Sequence, residues 1–247
     1  MREWSIDLHI HTILSPCAGD DMKPPQVLHR VKELNIEIIA ITDHNSAENV
    51  EAFYIKGKEM GVDVLPGMEV QTKEDIHLIC LFDTPEQVFS WQKTVYQSLP
   101  DLKNRRESFG AQWLVDSRGN ITGEVDRLLL MGADLSLADV VKGVHAINGL
   151  CIAAHIDRKA FSLWESLGFI PDYLAIDNVE LTPHLERNPN QLAQLRKKDF
   201  SYLVSSDAHW LGGIYPPQCF AFMKRCSIEE LKAAFQKKGG RYIRTTR

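Results

Sequence analysis

Six of the nine histidines in this chain, His9, His11, His44, His77, His155 and His209, fall at or just beyond the ends of segments that read as β-strands. Strand side chains alternate between faces. His9 and His11 in Asp7-Leu8-His9-Ile10-His11-Thr12 therefore point the same way, as do Asp207 and His209 in Ser206-Asp207-Ala208-His209. Each pair can grip one metal ion. In barrels the carboxyl ends of the strands form the working face, so Thr42-Asp43-His44-Asn45, Gly67-Met68-Glu69 and Ala154-His155 should open into the same cup. Buried imidazoles and carboxylates are costly unless paired, and divalent ions pair all of them at once. The spacing thus predicts a multinuclear metal site. His29 and His145 sit inside segments of helical period, where surface or packing roles are expected.

The elements that must position these groups alternate along the chain. Trp4 to His11 reads as a first strand, Pro24-Pro25 opens a helix carrying Val27, Leu28, Val31 and Leu34, and Ile36 to Thr42 is an apolar strand. Asn45 with Glu48 predicts a capping box for a helix ending near Gly61. Strands follow at Val62 to Val70 and Leu78 to Phe82. Thr84 with Gln87, Ser136 with Asp139 and Ser227 with Glu230 predict three further helix starts, and strands are expected at Leu150 to His155, Leu174 to Leu181, Tyr202 to Ser206 and Arg241 to Thr245. This is a βα succession around a mostly parallel sheet. Residues 100 to 133 break the rhythm with Lys103-Asn104-Arg105-Arg106-Glu107 and a hairpin turning at Ser117-Arg118-Gly119-Asn120. About 35 residues rarely hold a core of their own, so they read as an insertion within one domain spanning 1–247.

Composition narrows the class. With 247 residues and 44% hydrophobic content the chain is globular and not disordered, and no apolar run reaches the roughly 20 residues of a membrane span. The N-terminus lacks the apolar stretch of a secretion signal, which predicts a cytoplasmic protein. Five cysteines without a C-x-x-C spacing predict ordinary reduced thiols. The net charge of −5 argues against wrapping long nucleic acid and leaves small anionic substrates open.

The motifs Asp-Leu-His-Ile-His-Thr at 7–12, Ile-Thr-Asp-His-Asn at 41–45, Gly-Met-Glu at 67–69, His77, His155 and Ser-Asp-Ala-His at 206–209 resemble, in order, those of the PHP (polymerase and histidinol phosphatase) family. The resemblance implies an α/β fold, a distorted (β/α)7 TIM-like barrel, holding two or three divalent ions and hydrolysing phosphoesters. It places His9, His11, Glu69 and Asp207 around one ion, with Glu69 bridging to a second held by His77 and His155. A third would be held by His44, His209 and a carboxylate after the first motif. The family commonly shows Asp-Gly there, whereas this chain reads Ser15-Pro16-Cys17-Ala18-Gly19-Asp20-Asp21, leaving Asp20 and Asp21 as alternatives. The family's His-Pro before a phosphate-binding arginine appears as His155-Ile156-Asp157-Arg158.

Nitrogen and carboxylate donors suit zinc, manganese or iron. Such ions would activate a water for in-line attack, with Arg158 as a bidentate phosphate anchor. Asp43 is expected to orient a neighbouring imidazole, Glu180 to hydrogen-bond the substrate, and His184 to serve as leaving-group acid or as a plain loop residue. The expected partner is a small phosphorylated substrate, with nucleic acid only as a short nucleotide. Three other readings compete: a metal-dependent amidohydrolase, disfavoured because no middle strand ends in a bridging lysine; a nuclease or DNA-repair role, with Lys103, Arg105 and Arg106 as a docking patch; and a metal-binding module without turnover.

Overall fold

The computed structural model describes residues 1–171, 173–183, 193, 195 and 201–246. Its main sheet runs in the order β11-β10-β1-β2-β3-β4-β7-β8-β9. The strands are β1 (Arg2–Ile10), β2 (Ile38–Ile41), β3 (Asp63–Gln71), β4 (His77–Leu81), β7 (Leu150–Ala153), β8 (Asn178–Leu181), β9 (Tyr202–Val204), β10 (Cys219–Met223) and β11 (Tyr242–Thr245). A separate hairpin joins β5 (Trp113–Val115) and β6 (Ile121–Glu124). The sheet curls until the segment after β9 meets the end of β1. There Ile10 bridges Ala208, and His11 N–H donates to Ala208 O at 3.0 Å. The barrel is therefore closed at the rim where the histidines lie.

Alternate residues along the strands enter two apolar clusters on opposite faces of the sheet. Ile39 and Ile41 pack with Val27, Leu28 and Val31 of α1 (Pro24–Glu33), Phe53 of α2 (Val50–Met60), Val88 and Trp91 of α3 (Pro85–Ser98) and Val140 and Val144 of α5 (Leu137–Ala146). Ile38, Ala40, Ile79 and Ile152 turn the other way and meet Leu231 and Phe235 of α7 (Ile228–Phe235). Burial on both faces explains why these strands read as continuous apolar runs. Two short α-helices, α4 (Arg106–Phe109) and α6 (Leu163–Leu167), and two 3-10 turns at Leu211–Gly213 and Lys238–Gly240 complete the described elements; no helix among the described residues is long and apolar enough to cross a membrane.

The strict parallel pattern is not kept. β4 runs antiparallel to both β3 and β7, and β10 lies antiparallel between β1 and β11. Only residues 72–76 separate β3 from β4, too few for the crossover that parallel pairing needs. One capping expectation also changes. Thr84 and Ser136 form the reciprocal boxes with Gln87 and Asp139, but α2 begins at Val50, and Asn45 caps nothing. Asn45 instead takes a left-handed turn (φ 49°) and donates to Leu129 O (2.8 Å) and Met131 O (2.9 Å), while Gln71 N–H donates to its Oδ1. Its side chain fastens the inserted segment to the barrel rim. The expected basic patch there is partly neutralised, since Arg106 pairs with Glu124 and lies over the Trp113 ring.

At the other end, Glu230 of α7 ties the helix to the last strands. Arg241 donates to both its carboxylate oxygens at 2.7 Å, and Lys224 N–H donates to Oε2 at 2.8 Å. The Arg241 bonds, against the opposing effect of burial, hold the Glu230 carboxyl at about 2. A carboxyl depressed in the fold stabilises it above the unfolded value of about 4.3 and loses that contribution as pH falls through the folded value. Glu230→Gln should therefore melt a few degrees below the parent at pH 7, with the gap narrowing as pH falls below about 4. Parallel melting curves at several pH values check this; a gap unchanged across that range would refute it.

Candidate metal centre

Glu69, within β3 and 1% exposed, stands at the middle of the cup. Its Oε1 lies 2.9 Å from His77 Nδ1, 3.1 Å from His155 Nε2 and 3.3 Å from His9 Nε2; its Oε2 lies 2.9 Å from His44 Nδ1 and 3.5 Å from His11 Nε2. The strand directions explain the convergence. His9, His11, His44, His155, Asp207 and His209 come from the carboxyl ends of β1, β2, β7 and β9 or from the turns after them. β4 runs the opposite way, so it is its first residue, His77, that reaches the same rim. His155 (φ 28°) and Asp207 (φ 49°) adopt left-handed backbone as the chain turns off its strand, a strain typical of functional positions.

The imidazoles are oriented from behind. His9 Nδ1 lies 2.9 Å from Glu180 Oε2, which makes it the N–H donor and leaves Nε2 with its lone pair facing inward. His11 Nδ1 lies 3.0 Å from Ser15 Oγ, whose one proton goes to Asp43 Oδ1 at 2.7 Å. The serine must accept from His11, so His11 Nε2 also turns inward as a lone pair. Asp43 is held in turn by Thr12 N–H and Thr12 Oγ1–H, both at 2.7 Å. His209 Nδ1 donates to Asp207 O at 2.9 Å, freeing its Nε2.

His9 Nε2 and His11 Nε2 face each other at 3.2 Å, with Asp207 Oδ1 3.2 and 3.1 Å from them. Among the described residues, His77 Nε2, His155 Nδ1 and Glu180 Oε1 are buried without hydrogen-bond partners. Converging lone pairs, two carboxylates and orphaned buried nitrogens are the donor set of a divalent cation. Three groups bring their donor atoms within 4.8 Å of one another: His11, His44 and His209; His9, His11 and Glu69; and His44, Glu69 and His77. The residues fit two or three ions.

Protons compete with metal for these lone pairs and are held unevenly. Burial pushes His9 down, but Asp207, Glu180 and Glu69 outweigh it and hold the ring well above the ordinary histidine range. Burial, together with the charges of His209 and His44, holds His11 well below that range. Burial would raise Glu69 and Asp207, yet the surrounding imidazoles, His77 and His9 for Glu69 and His9 and His11 for Asp207, keep both well below the carboxylate range. His44 is driven to about 10: burial opposes the shift, and hydrogen bonds to Cys17 and Glu69 produce it.

Asp20 and Asp21 are exposed and belong to none of the three ligating groups. Cys17 of the same loop is exposed as well and joins none of these groups. Arg158 enters the cup, its Nη2 2.5 Å from Asp207 Oδ2, while Asp157 is occupied by Thr182. Glu180 is 1% exposed and accepts from His9 Nδ1 and His155 N–H, so it lies behind these two histidines rather than on the open side of the cup. His184 lies outside the described residues. His29 is on the surface of α1, and His145 bonds Asp177 at 2.7 Å; neither joins the cup. Residue types alone did not single out Ser15; the signal was its place in the loop after the first motif.

The sequence profile of the PHP domain matches residues 7–159, more than half of the chain. The chain belongs to the PHP domain family. A 78-residue stretch is 27% identical to a 5'-3' exoribonuclease of Haemophilus influenzae, covering 30% of this chain and 27% of that protein. The fold matches a lesion-specific endonuclease of Pyrococcus furiosus with a TM-score of 0.70 at 21% identity, covering 98% of this chain and 57% of the other. It also matches a Bifidobacterium adolescentis protein assigned as a metal-dependent phosphoesterase, with a TM-score of 0.57 at 16% identity and coverage of 87% and 90%. At these identities the structural matches establish the fold. This PHP-domain chain spans little more than half of the endonuclease, and its match covers about a quarter of the exoribonuclease.

The orienting hydroxyl gives a direct test of the centre. Ser15→Ala removes the acceptor that fixes the His11 tautomer and should weaken metal binding by about 10- to 100-fold in a chelator competition, while circular dichroism stays that of the parent. Glu69→Gln, which alters the group shared among the sites, should lose at least one equivalent of metal by elemental analysis. Parental affinity in Ser15→Ala would show that the hydroxyl does not set the tautomer.

Proposed function

We propose that this chain is a metal-dependent phosphoesterase acting on a small phosphomonoester or nucleotide. The observation that carries the reading is the pair of inward lone pairs on His9 and His11, 3.2 Å apart and faced by Asp207 and Glu69, with the half-exposed Arg158 guanidinium beside them. When bound here, divalent ions supply Lewis acidity toward phosphoryl oxygens and lower the pKa of water, chemistry for which zinc, manganese and iron all serve. The chain's own residues do the positioning. Glu180 and Ser15 hold His9 and His11 in the tautomers that leave Nε2 free. Glu69 draws five imidazoles around one carboxylate. Arg158, anchored by its ion pair to Asp207 yet open to solvent, presents two parallel donors to a phosphate oxygen pair. His184 remains a candidate for protonating the leaving group.

A nucleic-acid substrate is the second reading, favoured by two exposed aromatic rings at the rim. Phe161 stacks on His77 with centroids 4.8 Å apart and planes 18° apart, and Trp210, directly after His209, is 56% exposed. Exposed rings beside a phosphoester site suit a base, since stacking on an aromatic side chain is worth about 1 to 3 kcal/mol per base. The exoribonuclease and endonuclease among the similar proteins lean the same way, whereas the net charge of −5 favours a short substrate over a long duplex.

Metal-reconstituted protein assayed on simple phosphomonoesters, nucleoside monophosphates and short single-stranded oligonucleotides tests the proposal, which predicts turnover that chelation abolishes. No turnover on any phosphoester would leave a metal-binding module. Arg158→Ala should keep its metal and lose about 30- to 900-fold in kcat/KM, and Arg158→Lys should recover only part of that, because an ammonium cannot make paired bonds. Trp210→Ala should raise KM for base-bearing substrates by about 5- to 150-fold while sparing simple phosphomonoesters. Equal effects on both classes would remove the stacking role.

A further inference from the structure

The turn that carries Arg158 to the cup, His155-Ile156-Asp157-Arg158, contains neither glycine nor proline, yet it opens on strained backbone at His155 (φ 28°). Hydrogen bonds to the end of β8 and the residue after it hold that shape. His155 N–H donates to Glu180 Oε2 at 3.1 Å, and Ile156 N–H donates to Glu180 O at 2.9 Å. Asp157 then gives its whole carboxylate to one residue: Thr182 N–H lies 2.9 Å from Oδ1 and 3.2 Å from Oδ2, and Thr182 Oγ1–H donates to Oδ2 at 2.9 Å. The turn closes with Arg158 N–H donating to His155 O at 2.9 Å, and Ser162 Oγ–H donates to Arg158 O at 2.6 Å. Ser162 is itself buried as the cap of α6. The Arg158 backbone is thus fixed from both sides, while its half-exposed guanidinium reaches Asp207.

We propose that Asp157 is a positioning residue: through Thr182 it pins the backbone from which Arg158 reaches a substrate phosphate, and substrate affinity depends on it although it touches neither phosphate nor metal. The proposal rests on the reading of Arg158 as phosphate anchor and adds the group that sets the anchor in place. A long side chain holds a fixed point only when its Cα is fixed, and small misplacements of a contact group are costly. The clamp has a second effect. A carboxylate next to Arg158 in the chain would neutralise the guanidinium if it paired with it, and the three contacts from Thr182 keep Asp157 occupied, leaving the charge of Arg158 for the cup.

Kinetics of the metal-loaded protein on a phosphoester, and calorimetric titration with inorganic phosphate, which needs no turnover, test this together. Asp157→Ala should keep the parental metal content, because His155 retains its own bond to Glu180. Its KM and its Kd for phosphate should rise by about 10- to 100-fold, with kcat changed much less. Asp157→Asn, which still accepts from Thr182 N–H, should recover most of the loss. Thr182→Val, which removes only the hydroxyl, should cost about 2- to 10-fold and serves where Asp157→Ala folds poorly. In an Arg158→Ala background, Asp157→Ala should add nothing, because the group it positions is gone. Additive losses in that cycle, metal lost along with phosphate affinity in Asp157→Ala, or parental phosphate affinity in both Asp157→Ala and Thr182→Val would overturn the positioning role and leave the Arg158 anchor standing. Parental phosphate affinity in Arg158→Ala would overturn both.

Discussion

One buried carboxylate surrounded by five imidazoles is the constraint around which this barrel is arranged. Glu69 is 1% exposed, and a carboxylate so far from water is tolerable only among compensating charge. The imidazoles come from four separate strand ends, and the backbone locks them in register: Glu69 N–H donates to Asp43 O at 3.0 Å, and Asn45 N–H to Glu69 O at 2.8 Å. A shift of one residue in β3 would turn the carboxylate to the other face of the sheet and dissolve the centre. Barrel closure serves the same end, because the bridge between Ile10 and Ala208 lies between the two halves of the His9, His11, Asp207 and His209 set.

Around that core lies a second layer of groups whose work is orientation. Glu180, Ser15, Asp43 and Thr12 touch no open face of the cup, yet they decide which nitrogen of His9 and His11 carries the proton. The layer is redundant in charge and specific in geometry. Asp43 accepts three hydrogen bonds from Thr12 and Ser15, so its charge is satisfied before any metal enters.

Much of this was legible in the chain because the motifs are local. Strand alternation alone places His9 with His11 and Asp207 with His209, and the Thr84 and Ser136 boxes are complete within four residues. What was not legible depends on contacts between distant segments. Asn45 and Glu48 have capping-box spacing, but Asn45 is claimed by Leu129 and Met131 more than 80 residues away. β10 went unread because Cys-Phe-Ala-Phe-Met lacks a polar alternation, and its partner, β1, lies some 215 residues earlier. The antiparallel course of β4 follows from a five-residue connection whose consequence is topological. Glu180 looked substrate-facing until β8 set it behind His9.

The attachment of the inserted segment bears on how specificity can change in such a scaffold. Asn45 follows a candidate ligand directly, has its amide on Glu69 and gives its side chain to Leu129 and Met131; Asn49 similarly ties Thr12 to Trp113 and Val115. The segment from 100 to 133 is thus wired into the backbone that spaces the cup. Exchanging it with that of another barrel would not be a modular graft: a replacement lacking carbonyls at those two places would leave Asn45 unsatisfied beside His44, and the disturbance would reach the histidine cup before it reached the outer loops. Diversification of this fold should therefore proceed by substitutions within the insertion that preserve its two anchor points, rather than by wholesale exchange.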